Sequence, residues 1–189
     1  MHSSQKGACP CDLIHIAPVL RGVKPAELIN PRGRRTDALL LHANPLRHRH
    51  LHASGGSELL LIYDPVLLDE ALRDPVAREV LSRYNYPAQA GCRMLLDVLS
   101  FRFRTCGFPH EIGLFLGYPP GDVRAFIEEG SRNCLLSGYW KVYSNVEGAR
   151  EMFRKIDAAR EIAAECLRAS RSTAQAVFAI KSFGKAVPI

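Results

Sequence analysis

The chain has 189 residues, a length that suits one domain. Hydrophobic residues make up 47% and charged residues 23%, the balance of a globular chain, which excludes disorder for its bulk. The formal net charge is +6; apolar runs of about five residues fall far short of the roughly 20 that a membrane span needs, and nothing at the N-terminus has the order of a signal peptide, so a soluble, cytoplasmic protein is expected.

Residues 1–12 read as a flexible end, in which Cys9-Pro10-Cys11 offers too few ligands for a structural metal site. Ile14 to Leu20 is a short apolar stretch around Pro18. Lys24 to Asn30 spells a short helix with Pro25 in its first turn and Pro31 as its stop. Ala38 to Leu41 suits a short strand. Residues 43–57 carry Pro45, alternating His and Arg, and Ser54-Gly55-Gly56; they read as an exposed loop, and the whole of 31–57, with no sustained apolar periodicity, is expected to bury little and to be dispensable for folding. The basicity gathers in this third: residues 1–57 hold 8 Lys/Arg against 3 Asp/Glu, and six of the seven His. Such a patch can attract nucleic acid. No aromatic interleaves with the arginines of 32–35 and 47–49, however, so a solvated segment is the plainer reading and nucleic acid is disfavoured as a partner. His48, His50 and His52 would share one side of an extended chain, a weak zinc or nickel candidate. Flanking arginines oppose a cation and no acidic or Cys ligand lies nearby, so no metal is expected.

The body begins at Glu58. Leu59 to Tyr63 is a continuous apolar run of the kind a buried strand shows. Asp64-Pro65 and Asp74-Pro75 each set an N-cap residue before a first-turn proline and open helices over 66–72 and 76–84. A longer helix runs from Ala88 to its stop at Gly107, with Cys92, Leu95, Leu96, Leu99 and Phe103 on one face. Pro109 starts a short helix that Gly117 ends, and Pro120 starts another that stops at Gly130. Gly138 to Tyr143 alternates as a strand, with Trp140 and Val142 on one face and Tyr139, Lys141 and Tyr143 on the other. Ser144-x-x-Glu147 is a capping box. It opens a helix with the stripe Ala149, Met152, Phe153, Ile156, Ala159, Ala163, Cys166 and Leu167, and a last helical piece runs through Phe183. The six Cys are dispersed with no C-x-x-C, so reduced thiols are expected. The fold class is α/β or α+β: one helix-rich domain over 13–168 with a small sheet, followed by a helical extension over 169–189.

The segment Phe108 to Pro119, F-P-H-E-I-G-L-F-L-G-Y-P, and the segment Gly138 to Tyr143, G-Y-W-K-V-Y, together resemble an uncharacterised bacterial family, the domain of unknown function thirty-seven ninety-three. The likeness runs from Ile14 to the region of residue 160, through Ala17-Pro18 and Gly22-x-Lys24-Pro25. It implies no established activity. Members often sit near flavodoxin or iron-handling genes, which implies a redox or iron context. Many members resemble H-C-A-P-T-L-A-G where this chain has His15-Ile16-Ala17-Pro18-Val19-Leu20-Arg21-Gly22, so a Cys nucleophile or ligand at that place is absent. The 31–57 segment and the tail after 168 look additional to the family pattern.

His110-Glu111 is the leading candidate for catalysis: a helix start favours an anion and a carboxylate, and imidazole beside carboxylate suits acid–base work. Neighbours on a helix do not face each other, so the two would serve different surfaces. Tyr139, Lys141 and Tyr143 on one strand face would cradle a phosphate or carboxylate on an aromatic platform, with Tyr118 bordering the same cleft. Cys106 and His110 are separated by Gly107 and Pro109, which breaks a shared helix and disfavours a nucleophile pair. There is no G-x-S-x-G, Walker A or G-x-G-x-x-G, so no cofactor is named by the sequence. The favoured reading is a binding or accessory protein with a pocket near the two motifs, taking a small anionic ligand or a protein partner. The alternatives are a small hydrolase or transferase using His110 or Glu111, and nucleic-acid binding through the basic N-terminal third.

Overall fold

The computed structural model describes residues 10–31, 41–52 and 58–184; of the strand expected at 38–41, only Leu41 lies within them, in a turn. Helix α1 (Pro10–Leu20) starts inside the expected flexible end and turns Leu13, Ile16, Ala17 and Leu20 into the core at helical spacing. The Pro18 carbonyl accepts from Val23 N at 2.8 Å and closes the helix end.

Two expectations are corrected in the sheet. Strand β1 (Ala26–Ile29) replaces the helix expected over 24–30. So short a helix gains little by propagation, and the segment pairs antiparallel with β3 (Glu58–Tyr63), Ala26 opposite Tyr63 and Ile29 opposite Leu60. Strand β2 (Arg47–His52) replaces the central part of the expected loop and pairs antiparallel with β3 on its other side. Its polar residues hid it: only Leu51 is fully buried, while Arg49 reaches Asp97 at 2.8 Å.

The sheet order is β1-β3-β2, so β3 is central. Successive β3 side chains point to opposite faces. Leu61 and Tyr63 join one buried cluster with the helices that follow, α2 (Pro65–Ala71), α3 (Pro75–Ser82) and α4 (Cys92–Thr105). Leu60 and Ile62 join a second with α1, α7 (Val146–Ala169) and α8 (Thr173–Ser182). The result is a single compact α+β fold, helices over both faces of a small antiparallel sheet. Helix α8 supplies Ala176, Val177 and Ile180 to the same cluster as Leu13 and Ile16.

The helix starts at Asp64 and Asp74 follow the sequence reading. Asp64 Oδ1 accepts from Val66 N at 2.9 Å and Asp74 Oδ1 from Val76 N at 2.8 Å. The capping box does not form. Asn145 caps α7, its Oδ1 accepting from Gly148 N at 2.9 Å, while the Ser144 hydroxyl donates to Asp122 Oδ1 at 3.3 Å. The strand expected over 138–143 is a hairpin instead: β4 (Leu136–Ser137) pairs with β5 (Lys141–Val142), and residues 138–140 form the turn. The expected alternation of Tyr139, Lys141 and Tyr143 on one strand face is therefore lost at the turn. No helix among the described residues is long and apolar enough to cross a membrane.

Candidate functional site

The first motif folds into one helical turn, α5 (Ile112–Phe115), followed by α6 (Pro120–Glu129). Two glycines permit the tight path. Gly117 has φ +76°, and a Cβ there would overlap the Pro25 ring. A Cβ on Gly113 would come within 2.9 Å of Val123 Cγ2, so the glycine lets α5 and α6 close on each other.

This path sends His110 and Glu111 to different places. Glu111 is 1% exposed. Its Oε1 accepts from Arg102 Nε and, at 3.2 Å, from the Tyr86 hydroxyl, while the Arg102 guanidinium lies 4.4 Å over the Tyr84 ring. Burial, with the Glu111 carboxylate beside it, pushes the Tyr86 phenol far above its ordinary range. Glu111 is thus the anion of a buried structural network. His110 is exposed, stands edge-on to Phe126 with centroids 5.2 Å apart, and lines a cleft.

That cleft has a volume of about 390 Å³ and draws its walls from both motifs. Phe108, His110 and Phe126 line it, the last two in ring contact, with Tyr139, Trp140 and Lys141 from the hairpin and the apolar Ile112, Leu116 and Val123. Tyr118 also lines it, stacked on Trp140 with centroids 5.2 Å apart and planes at 26°. Lys141 Nζ lies 2.9 Å from Ser137 Oγ. Tyr143 does not line the cleft; its hydroxyl donates to the Gly130 carbonyl.

Three groups that the sequence did not single out as site residues hold this arrangement. Asp122 is 3% exposed; its Oδ2 accepts from Trp140 Nε1 at 2.9 Å, and its Oδ1 accepts from Tyr143 N at 2.9 Å as well as from Ser144. An acid in the first turn of a helix was the only signal, and it reads equally as a dipole partner. Lys24 is 5% exposed, with Nζ 3.1 Å from Glu27 Oε2 and 5.4 Å from the Tyr118 ring centroid. Arg160 Nη2 lies 3.6 Å from the same Glu27 oxygen. The Arg160 guanidinium stands 4.8 Å over the Tyr139 ring and donates to its hydroxyl at 3.1 Å, and that hydroxyl donates to Asp157. Burial lowers the Lys24 pKa against the opposing pull of Glu27. Burial also pushes Tyr118 up to about 12, aided by the Glu27 charge, and Tyr139 up to about 12, aided by its bond to Asp157.

His48, His50 and His52 do share one side of β2, with neighbouring ring centroids 5.3 and 6.4 Å apart. His50 Nδ1 lies 2.6 Å from Glu58 Oε1, and none of the three lines the cleft. Among the described residues no group of three or more His, Cys, Asp or Glu could hold a metal ion. Cys92, Cys106, Cys134 and Cys166 are free thiols, but Cys11 is disulfide-bonded, which corrects the expectation of reduced thiols at that place; burial pushes Cys92 up to about 11.

A family model described as "Protein of unknown function (DUF3793)" matches residues 13–177. No curated protein and no solved structure matches the chain.

Proposed function

The chain belongs to the DUF3793 family, whose description assigns no activity, and from the cleft itself we propose that the protein binds a small organic anion with a flat apolar body. The carrying observation is that both motifs line one cavity of about 390 Å³. That size lies in the range of small-molecule sites, which pair apolar walls with a few polar groups. The Asp122 carboxylate already accepts three hydrogen bonds from the protein. The basic groups left for a ligand are the Lys141 ammonium and the His110 imidazole. Aromatic side chains from three directions favour a flat apolar body, and the two basic groups favour an anionic substituent. Glu111 is engaged by Arg102 and Tyr86, so the acid–base pair of the hydrolase or transferase reading is reduced to His110 alone.

Trp140 is the one tryptophan of the chain and lines the cleft, so its fluorescence reports occupancy. With anilinonaphthalene sulfonate as probe, the expected result is saturable quenching of Trp140. Lys141→Ala should weaken binding about fivefold, the scale of one charge-assisted contact. His110→Ala should weaken binding about threefold, the scale of one lost polar contact. Absence of saturable quenching, or affinities unchanged in both variants, would overturn the reading.

A further inference from the structure

We infer that Lys24 is a positioning residue of the cleft: its ammonium, over the Tyr118 ring and tied to Glu27, fixes the aromatic wall that Tyr118 builds with Trp140. This inference rests on the binding reading above.

Lys24 does not line the cleft, and at 5% exposure its ammonium is almost fully withdrawn from water. Burying an ammonium is costly, and a buried ion pair is often no more stabilising than apolar residues of the same volume. Stability therefore gives no particular reason for a charge here. What the charge alone supplies is an interaction with a π face. The ammonium is 5.4 Å from the Tyr118 centroid, and Tyr118 stacks on Trp140. Trp140 is in turn fixed at its indole nitrogen by Asp122 and packs against Phe153 with centroids 4.6 Å apart.

The arrangement is repeated at the hairpin, next to Trp140. Arg160 lies over Tyr139 as Lys24 lies over Tyr118, and both cations meet the same Glu27 oxygen, at 3.6 and 3.1 Å. Glu27 sits on β1 and Arg160 on α7, so sheet and helix converge on one carboxylate beneath two aromatic side chains of the cleft. The Gly22-x-Lys24-Pro25 segment thereby gains a role at a distance from any ligand: Pro25 meets Gly117, and Lys24 meets the next residue, Tyr118.

The experiment measures anilinonaphthalene sulfonate affinity by Trp140 quenching, with far-UV circular dichroism as a check on folding. Lys24→Met keeps length and apolar bulk but removes the charge; it should weaken the probe about fivefold, the scale of a desolvated cation–π contact, and shift Trp140 emission. Lys24→Arg restores a cation in a tight site and should recover part of the affinity lost in Lys24→Met. In a Tyr118→Leu background Lys24→Met should cause no further loss, because the ring through which it acts is gone. If Lys24→Met does not fold, Glu27→Gln decides: it loosens both cations and should weaken the probe about threefold. Wild-type affinity in Lys24→Met, or in Glu27→Gln where the first variant is unfolded, overturns the inference while the loss in Lys141→Ala leaves the binding reading standing. An additional loss of the same size in the Tyr118→Leu background also overturns it. Absence of saturable binding in the wild type overturns the binding reading and this inference with it.

Discussion

At Glu111 a carboxylate meets Arg102, nine positions earlier in the chain, and Tyr86, 25 positions earlier. Neither partner is signalled by local spacing, which is why the His110-Glu111 pair reads as a site in sequence while only His110 reaches the cleft. Removing the acceptor leaves an arginine and a phenol with lost partners in a largely dry environment, so Glu111→Ala should cost about 3 kcal/mol by denaturant unfolding. Glu111→Gln, which keeps an acceptor, should cost less. Lys24 was illegible for a related reason: a lone lysine in a short polar segment is nearly always solvent-exposed, and its burial depends on contacts with β1, α7 and Tyr118. The tyrosines give a pH signature. Tyr118 and Tyr139 ionise near about 12 in the fold against an ordinary value of 10.0. A raised folded pKa means that their stabilising contribution is complete below pH 10 and is lost as pH climbs through about 12. All six tyrosines are held above the ordinary phenol range, so tyrosinate absorbance should rise late and together with loss of the fold, and Tyr139→Phe should diminish that rise.

Among the elements, those with their own punctuation were legible and those made by pairing were not. Asp64-Pro65 and Asp74-Pro75 carry an N-cap and a first-turn proline within two residues, and both helices start there. β1 and β2 carry no such local mark. Each exists because β3 offers an unpaired edge, and a Lys/Pro start or a run of Arg and His says nothing about that edge. The hairpin was half legible: its strand-forming residues were evident, but the turn at 138–140 depends on Gly138 passing so close to the Phe153 ring that a Cβ would overlap it. The β2 pairing argues against the expectation that residues 31–57 are dispensable. Leu51 is fully buried beside α4 and Ala43 is fully buried in the other cluster. Leu51→Ala should lower unfolding free energy by about 3 kcal/mol, and replacing 43–57 by a Gly-Ser linker should lower the melting temperature. A melt identical to the wild type would show the segment to be dispensable after all.

Across the whole molecule, the central strand serves two cores at once. From Glu58 to Tyr63 it has apolar side chains on both faces, so its own pattern does not distinguish one register from the next. The distinction falls to its neighbours: Leu51 is buried only when β2 is aligned as observed, and Asp64 caps α2 immediately beyond the strand's end. In an unfolded chain the same six residues, strand formers with a single charge, have the composition that stacks between molecules. Folding places that adhesive segment in the middle of the sheet and gives one flank to Arg47, His48, Arg49, His50 and His52. Charge on the flanking strand is the ordinary guard against edge-to-edge growth. The guanidinium of Arg47, exposed on that strand, keeps its charge at every pH at which the fold stands, so the guard holds in mild acid as well as at neutrality.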